Sequence, residues 1–543
     1  MLADLVIKNA HLPLSNPSQP DRDELFDIAV WEGRIIDIAP SGSAMGSQKY
    51  FDADGKYAFP GFHDAHAHSV WFGQTLLEID LSDAQETADV YQQLQEAANT
   101  QNDEWIIASG FTPSALADGK VDIVQLDKCC NGRPLVIKHN SGHALTVNSE
   151  TLERAGVREN CSMEIEGGRI VCDQEGRPTG LLEENAMRSV NNLLQPEPLG
   201  YIEKSLVAAS DVYIKQGITS VTDAGIAGGW IGHSPMELAA YQRGYRNGNI
   251  KHRSQVMITI DALHSIQSHP DDPSGFGLDT GIHSGFGDDF LEIGPTKIFS
   301  DGSILGGTAA MEENYCQCGN NRGYFQDDPD LMRKTALSAA ANGWSLAIHA
   351  LGDAAVDFAI DTISEASHRY GRPRIPHRIE HGGVCSDKHI AQIAELGIAL
   401  VPQPRFIKEF GDHMARLIGP ERVFHSYPAA RLLKAGAILP GSSDRPVADG
   451  NPLLVIQSFV ERLTASSNVY APDDRISAFQ ALTAYCEGSA AATGSAHKKG
   501  KIKSGYLADI VVLDKNPLAV DSSEFGGINV MTTIINGEVR YQA

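Results

Sequence analysis

The sequence predicts an α/β fold: a (β/α)8 TIM-like barrel with a small β-sandwich built from both termini and an insertion after the first barrel strand. Three observations carry this. Helical stretches in the middle of the chain repeatedly end at a glycine, and an apolar strand follows at once. The two chain ends share another pattern, short runs in which apolar and polar residues alternate. One gap between successive strands is far longer than a βα connection needs.

Taken in order, Leu5-Val6-Ile7, Ile28-Ala29-Val30-Trp31 and Arg34-Ile35-Ile36-Asp37-Ile38 read as strands, with Glu32-Gly33 as the turn between the last two. The C-terminus repeats this grammar in Asp509-Ile510-Val511-Val512-Leu513 and Met531-Thr532-Thr533-Ile534-Ile535. Asn536-Gly537 then supplies a hairpin turn before Glu538-Val539-Arg540. Residues 1–58 with 498–543 are therefore assigned to the sandwich and 59–497 to the barrel.

The first barrel strand runs into Pro60-Gly61-Phe62-His63-Asp64-Ala65-His66-Ala67-His68. Four later strands follow Gly217, Gly343, Gly397 and Gly436, where glycine supplies the left-handed cap that ends a helix. Gln255–Ile260, Thr296–Phe299 and Arg378–His381 complete a set of eight. Their near-continuous apolar character suits strands buried on both faces, and eight strands alternating with helices argue for a barrel. The insertion, about 70 to 205, is expected to lie over the barrel mouth. It holds a helix from Asn148-Ser149 to Gly156 and a hairpin from Gly168–Cys172 through Gly176–Thr179.

Composition narrows the function. A 543-residue chain with 42% hydrophobic residues can bury a sizeable core and reads as a globular enzyme. A formal charge of −25 argues against nucleic acid or an anionic membrane as partner, since both demand a basic surface. No run of 18 or more apolar residues predicts a transmembrane helix, and Met1–Lys8 lacks the basic and apolar regions of a signal peptide. Eight cysteines scattered over this length do not make a secreted disulfide framework, so the cytoplasm is the expected compartment. Cys316-Gln317-Cys318 reads either as two ligands of a metal site or as a plain loop.

Residues two apart on a strand share a face, so His66 and His68 can grip one cation side by side. Asp64 shares that face and is expected to orient one imidazole, while His63 points the other way. Further polar residues follow apolar runs at later strand ends: Lys297, His349, His381 and Asp444. Barrel enzymes do their chemistry at that rim. Singly, each histidine also reads as a satisfied core residue. Lys297 is the puzzle, because an ammonium there would be desolvated among cation-binding groups. Carboxylation by carbon dioxide would convert it to an anionic carbamate; the other reading pairs it with Asp301.

The set His-x-His, Lys, His, His, Asp on successive barrel strands resembles the metal-dependent amidohydrolase superfamily. Thr296-Lys297-Ile298-Phe299-Ser300-Asp301-Gly302-Ser303, Ile348-His349-Ala350-Leu351-Gly352-Asp353, Arg378-Ile379-Glu380-His381 and Ser442-Ser443-Asp444-Arg445-Pro446 are similar to its YtcJ-like branch. Ser141-Gly142-His143-Ala144-Leu145-Thr146-Val147-Asn148-Ser149 also resembles a segment of that branch, which includes N-substituted formamide deformylases. The resemblance implies one metal on His66, His68 and Asp444, a second on His349 and His381, and carboxylated Lys297 bridging them. One or two divalent ions are expected, and zinc suits the ligand set, with manganese, nickel and iron open. A homodimer is implied by the resemblance alone.

The expected reaction is metal-assisted hydrolysis of a C–N bond by an activated water. Asp444 is the candidate general base, and His143 the candidate donor to the developing oxyanion. Trp71 and Phe72 are candidates to wall an apolar substrate pocket, and Asp223, ending the second strand, to support the site. The expected substrate is a small amide, best an N-substituted formamide giving formate and amine. Other linear amides and amino-heterocycles fit the same metals, and a metal-free barrel that serves as a binding scaffold is the non-enzymatic reading.

Overall fold

Residues 2–15, 24–100, 104–140, 142, 144–157, 165, 168–272, 275–316 and 319–543 are described by the computed structural model of the chain. Turn chemistry fixes the terminal strands. Asn536 and Gly537 both take positive φ, +57° and +73°, as a two-residue hairpin turn requires, and join Val530–Ile535 to Glu538–Gln542. The sheet continues through Ile510–Leu513 to Tyr57–Pro60. A second sheet has the order Arg34–Pro40, Phe26–Trp31, Ala3–Ala10, Ser47–Asp52. Ile7, Ile28 and Val30 from this sheet share one buried apolar cluster with Ala58, Ile510, Val512 and Ile534 from the other.

Between the chain ends lie parallel strands. Phe62–Ala67, Ile218–Ile226, Arg253–Ile258 and Leu291–Ile293 form one sheet; Thr296–Phe299, Leu346–Ala350, Arg378–His381 and Ala399–Val401 form another. A parallel bridge from Thr259 to Lys297 links the two. Leu291–Ile293 and Thr296–Phe299 are separated by Gly294-Pro295, and the missing proline N–H interrupts the ladder there. After Gly436 the chain makes a single bridge, Ile438 to Ala399, where a full strand is expected, because Pro440 likewise cannot extend the pairing. It then meets the first parallel strand directly. Ala65 N–H donates to Gly441 O at 3.0 Å and Asp444 N–H to His66 O at 2.7 Å. Every residue of Phe62–Ala67, Leu346–Ala350 and Arg378–His381 is buried.

Helices return the chain between strands. Asp387–Leu396 is typical: Ser386 and His389 form a capping box at its start, and Gly397 in the left-handed region ends it.

The chain divides into two units, Met1–His68 with Ser210–Gly232 and Tyr241–Ala543, and Ser69–Ala209 with His233–Ala240. The second takes in the segment expected as an insertion. Its helix Ser149–Arg154 is capped by Asn148, and Gly168–Cys172 pairs antiparallel with Pro178–Glu184 as the sequence predicts. The rest of its six-stranded sheet, Ala144–Val147, Leu135–His139, Ile106–Phe111 and Ile79–Asp80, is not legible from the sequence. Short apolar runs of this kind do not distinguish strand from buried helix.

A polar network also runs through this second unit. Lys138 Nζ donates to Glu78 (2.6 Å) and Gln74 (3.0 Å), Gln74 Nε2 donates to Glu197 (2.5 Å), and His233 pairs with Glu197 at 3.2 Å.

Cys129, Cys130, Cys316, Cys385 and Cys486 are free thiols, whereas Cys172 is disulfide-bonded. Cys318 lies outside the described residues, and Cys316 Sγ accepts from Arg422 at 3.8 Å. Among the described residues no helix is long and apolar enough to cross a membrane.

Candidate metal centre

The strand Phe62–Ala67 carries His66 at its end and His68 just beyond it. Both rings reach Asp444. His66 Nε2 lies 3.3 Å and His68 Nε2 3.1 Å from Asp444 Oδ1, and all three residues are buried. One ligand atom from each lies within 4.8 Å of the others, a grouping able to hold a cation. His381 Nδ1 is 4.0 Å from Asp444 Oδ2, with ring centroids 5.0 Å from His66 and 4.5 Å from His349.

Two of these residues sit in backbone conformations that side chains rarely adopt: φ is +73° at His381 and +60° at Asp444. Alternation would send Glu380 and His381 to opposite faces. The left-handed turn at His381 breaks that alternation, and both side chains reach His66. Such outliers persist where the surroundings over-determine them, and they cluster at functional sites.

Three of the imidazoles have one nitrogen fixed from behind. His66 Nδ1 is 2.5 Å from Glu380 Oε2, His381 Nδ1 is 2.6 Å from Gln403 Oε1, and His349 Nε2 is 3.0 Å from Gly302 O. The opposite nitrogens of His66 and His349 are buried and make no hydrogen bond, as are Lys297 Nζ and Asp444 Oδ1. Orphaned buried polar atoms are costly. Imidazole lone pairs, a carboxylate oxygen and an amine left without hydrogen bonds fit a divalent cation.

Electrostatics agree with this at His349, His381 and Asp444. Burial keeps the His349 imidazole neutral, well below its ordinary range, and pushes His381 down to about 3; His381 and Lys297 add to the first effect. Neutral imidazole is the metal-binding form. Burial disfavours an ionised Asp444, but His66, His68 and His381 outweigh it and hold the carboxyl well below its usual range. Burial and Lys297 likewise oppose a proton on His66, and Asp444 and Glu380 prevail.

Lys297 is 1% exposed, its Nζ 4.8 Å from the centroid of the Phe299 ring. Burial, helped by Arg378, brings its ammonium down to about 8 against the pull of Glu380 and Asp444. Asp301 is not its ion-pair partner. That carboxylate accepts from the backbone of Ala310 (3.0 Å), Leu351 (3.1 Å) and Gly352 (2.9 Å), and lies 3.6 Å from His349 Nε2.

Other expected residues fall in different places. Asp64 does not orient an imidazole: it accepts from His66 N–H (3.2 Å) and from Ser443 N–H (3.0 Å) and Oγ (2.5 Å), bracing the turn that delivers Asp444. The imidazole is held by Glu380 instead. Arg378, two residues earlier and therefore on the same face, is the sequence signal for a buried carboxylate there. Asp223 accepts from the Tyr241 hydroxyl; burial lowers the His68 pKa, and Asp444 and the Asp223 charge oppose it without prevailing. Trp71 and Phe72 lie half-buried in the helix Ser69–Thr75 of the second unit, where a Cβ on Gly142 would come within 2.7 Å of the Trp71 ring. His143 lies outside the described residues.

The amidohydrolase family model, Amidohydro_3, matches residues 49–541. YtcJ of Bacillus subtilis (strain 168) is 28% identical over 499 residues, 90% of each chain. The N-substituted formamide deformylase of Arthrobacter pascens is 26% identical over 536 residues, 95% of this chain and 94% of that one. A metal-dependent hydrolase from Pyrococcus horikoshii OT3 shares the fold, with a TM-score of 0.74 and 22% identity over 96% of this chain and 99% of that one. The six converging side chains all fall inside the matched span, and on that match the chain belongs to the amidohydrolase family.

Proposed function

We propose that the protein is a metal-dependent hydrolase that cleaves the C–N bond of a linear amide, an N-substituted formamide, to formate and amine. The observation that carries this reading is the meeting of His66, His68 and Asp444, with ligand atoms within 4.8 Å of one another. The formamide is supported by the similarity to the Arthrobacter pascens deformylase. The Thr259–Lys297 and Ala399–Ile438 bridges, with the hydrogen bonds from Ala65 and Asp444, support reading the parallel strands as a closed (β/α)8 barrel. The apolar cluster common to the two terminal sheets supports a β-sandwich of residues 1–58 and 498–543.

His66, His68 and Asp444 would hold one zinc ion and His349 and His381 a second, with carboxylated Lys297 supplying a further anionic oxygen ligand. A divalent cation in this position lowers the pKa of a water toward neutrality and polarises a carbonyl oxygen. Asp444 accepts the water proton and returns it to the leaving amine. Lys297 becomes a ligand when its uncharged Nζ attacks carbon dioxide: an N–C bond forms, one C=O π pair moves onto oxygen, and a proton leaves for solvent. The five free thiols among the described residues suit a reducing cytoplasm, while the bond at Cys172 runs against a fully reducing one.

A panel of N-substituted formamides, assayed for released amine, tests the substrate. Turnover of at least one is expected; turnover only of other amides or of amino-heterocycles would refute the deformylase reading. Less than about half an equivalent of metal, with no activity gained on adding zinc, supports the scaffold instead.

A further inference from the structure

The three fixed imidazoles are not fixed alike. Behind His381 stands the neutral amide of Gln403, which also donates to Val401 O (2.9 Å) and Ser442 Oγ (3.2 Å), and behind His349 stands the Gly302 carbonyl. Behind His66 stands a carboxylate, at 2.5 Å. Glu380 is clamped in turn. Arg378 donates from Nε to Oε1 (2.7 Å) and from Nη2 to Oε2 (2.9 Å), and the same Nη2 reaches Ala65 O at 2.6 Å. The clamp thus ties Glu380 to the backbone of the strand that carries His66. An acceptor at Nδ1 leaves Nε2 as the lone-pair nitrogen, and His66 Nε2 is the atom 3.3 Å from Asp444 Oδ1. A carboxylate behind an imidazole draws its proton more strongly than an amide or carbonyl does, and so makes it the better ligand.

We propose that Glu380 is a positioning residue of the metal centre: it presents His66 Nε2 to the cation and makes the His66–His68–Asp444 half the place where the first cation binds. This rests on the metal-hydrolase reading above. The rival role, a buried counter-ion for Arg378 and nothing more, predicts lost stability without a selective change in affinity.

The test uses the full-length protein stripped of metal, zinc affinity measured by competition with a chromophoric chelator, and the melting temperature of each metal-free variant. Glu380→Gln is expected to weaken the first binding step about 10–100-fold, while Gln403→Leu changes that step far less. An unchanged first step in Glu380→Gln, or an equal loss in both variants, overturns the proposal. Where Glu380→Gln fails to fold, a crystal structure of the zinc-loaded wild type decides. His66 bound through Nε2 with Nδ1 on Glu380 supports the role; His66 bound through Nδ1, or Glu380 itself on the metal, overturns it. Wild-type protein that binds no zinc refutes the metal-centre reading itself, an outcome told apart because the variants are then not at issue.

Discussion

Lys297 shows how a single buried residue reports on the chemistry around it. Its amine has no hydrogen bond, and burial holds it at about 8, so an uncharged fraction exists near neutrality. Only that fraction can add carbon dioxide. Zinc reconstitution at a constant dissolved carbon dioxide concentration is therefore expected to speed up as pH rises through about 8 and to level off above it; a flat profile from about pH 7 to 9 under that condition contradicts carboxylation. The carbamate signal from labelled bicarbonate in a carbon NMR spectrum should vanish in Lys297→Met. Asp444 carries the proton transfer in this account. Asp444→Asn is expected to lower kcat by about 100-fold or more, measured on whichever amide the wild type turns over.

At the scale of elements, close backbone approach holds the loops that deliver these side chains. Gly352 follows the strand bearing His349 and donates to Asp301, and a Cβ there would stand 1.8 Å from Ala310 O. Gly352→Ala should therefore destabilise the protein by about 1–3 kcal/mol in denaturant melts. In the second unit, burial opposes a charge on His233, but Glu197 raises its pKa above the ordinary value. The sign follows from that direction. The pair's contribution is complete below the unfolded histidine value of about 6.5 and is lost as pH rises through the folded pKa. Glu197 is held down by His233 against burial, so on the acid side the contribution fades as its carboxylate protonates. The protection factor of the helix Ser69–Thr75, exchange corrected for its intrinsic pH dependence, should fall from pH about 6 to 8 in wild type and stay level in His233→Gln.

The six candidate ligands were legible as polar residues beside apolar runs, His349 and His381 near strand ends, whereas Lys297 lies second in Thr296–Phe299 and Asp444 lies past a strand that does not form. Glu380, Gln403 and the bracing role of Asp64 were not legible. Their partners lie hundreds or tens of residues away, and the positive φ that turns His381 back beside Glu380 leaves no mark on periodicity. The parallel strands were readable through the glycines before them, while the eighth lost its ladder to Pro440, which a count of apolar residues does not register.

For the whole molecule, a cation bound only by the native state adds stability by mass action, about 2.7 kcal/mol when it is present at 100 times its dissociation constant. Chelation should lower the melting temperature, and exchange protection should fall most at the strand ends around His66, His349 and His381. The account stands most directly on metal content, measured by mass spectrometry of purified full-length protein beside His66→Asn/His68→Asn. It predicts about one to two equivalents of divalent metal in the wild type and almost none in a double variant that still melts cooperatively. A folded double variant with the wild-type complement of metal, or a wild type with no more metal than that variant, would contradict it.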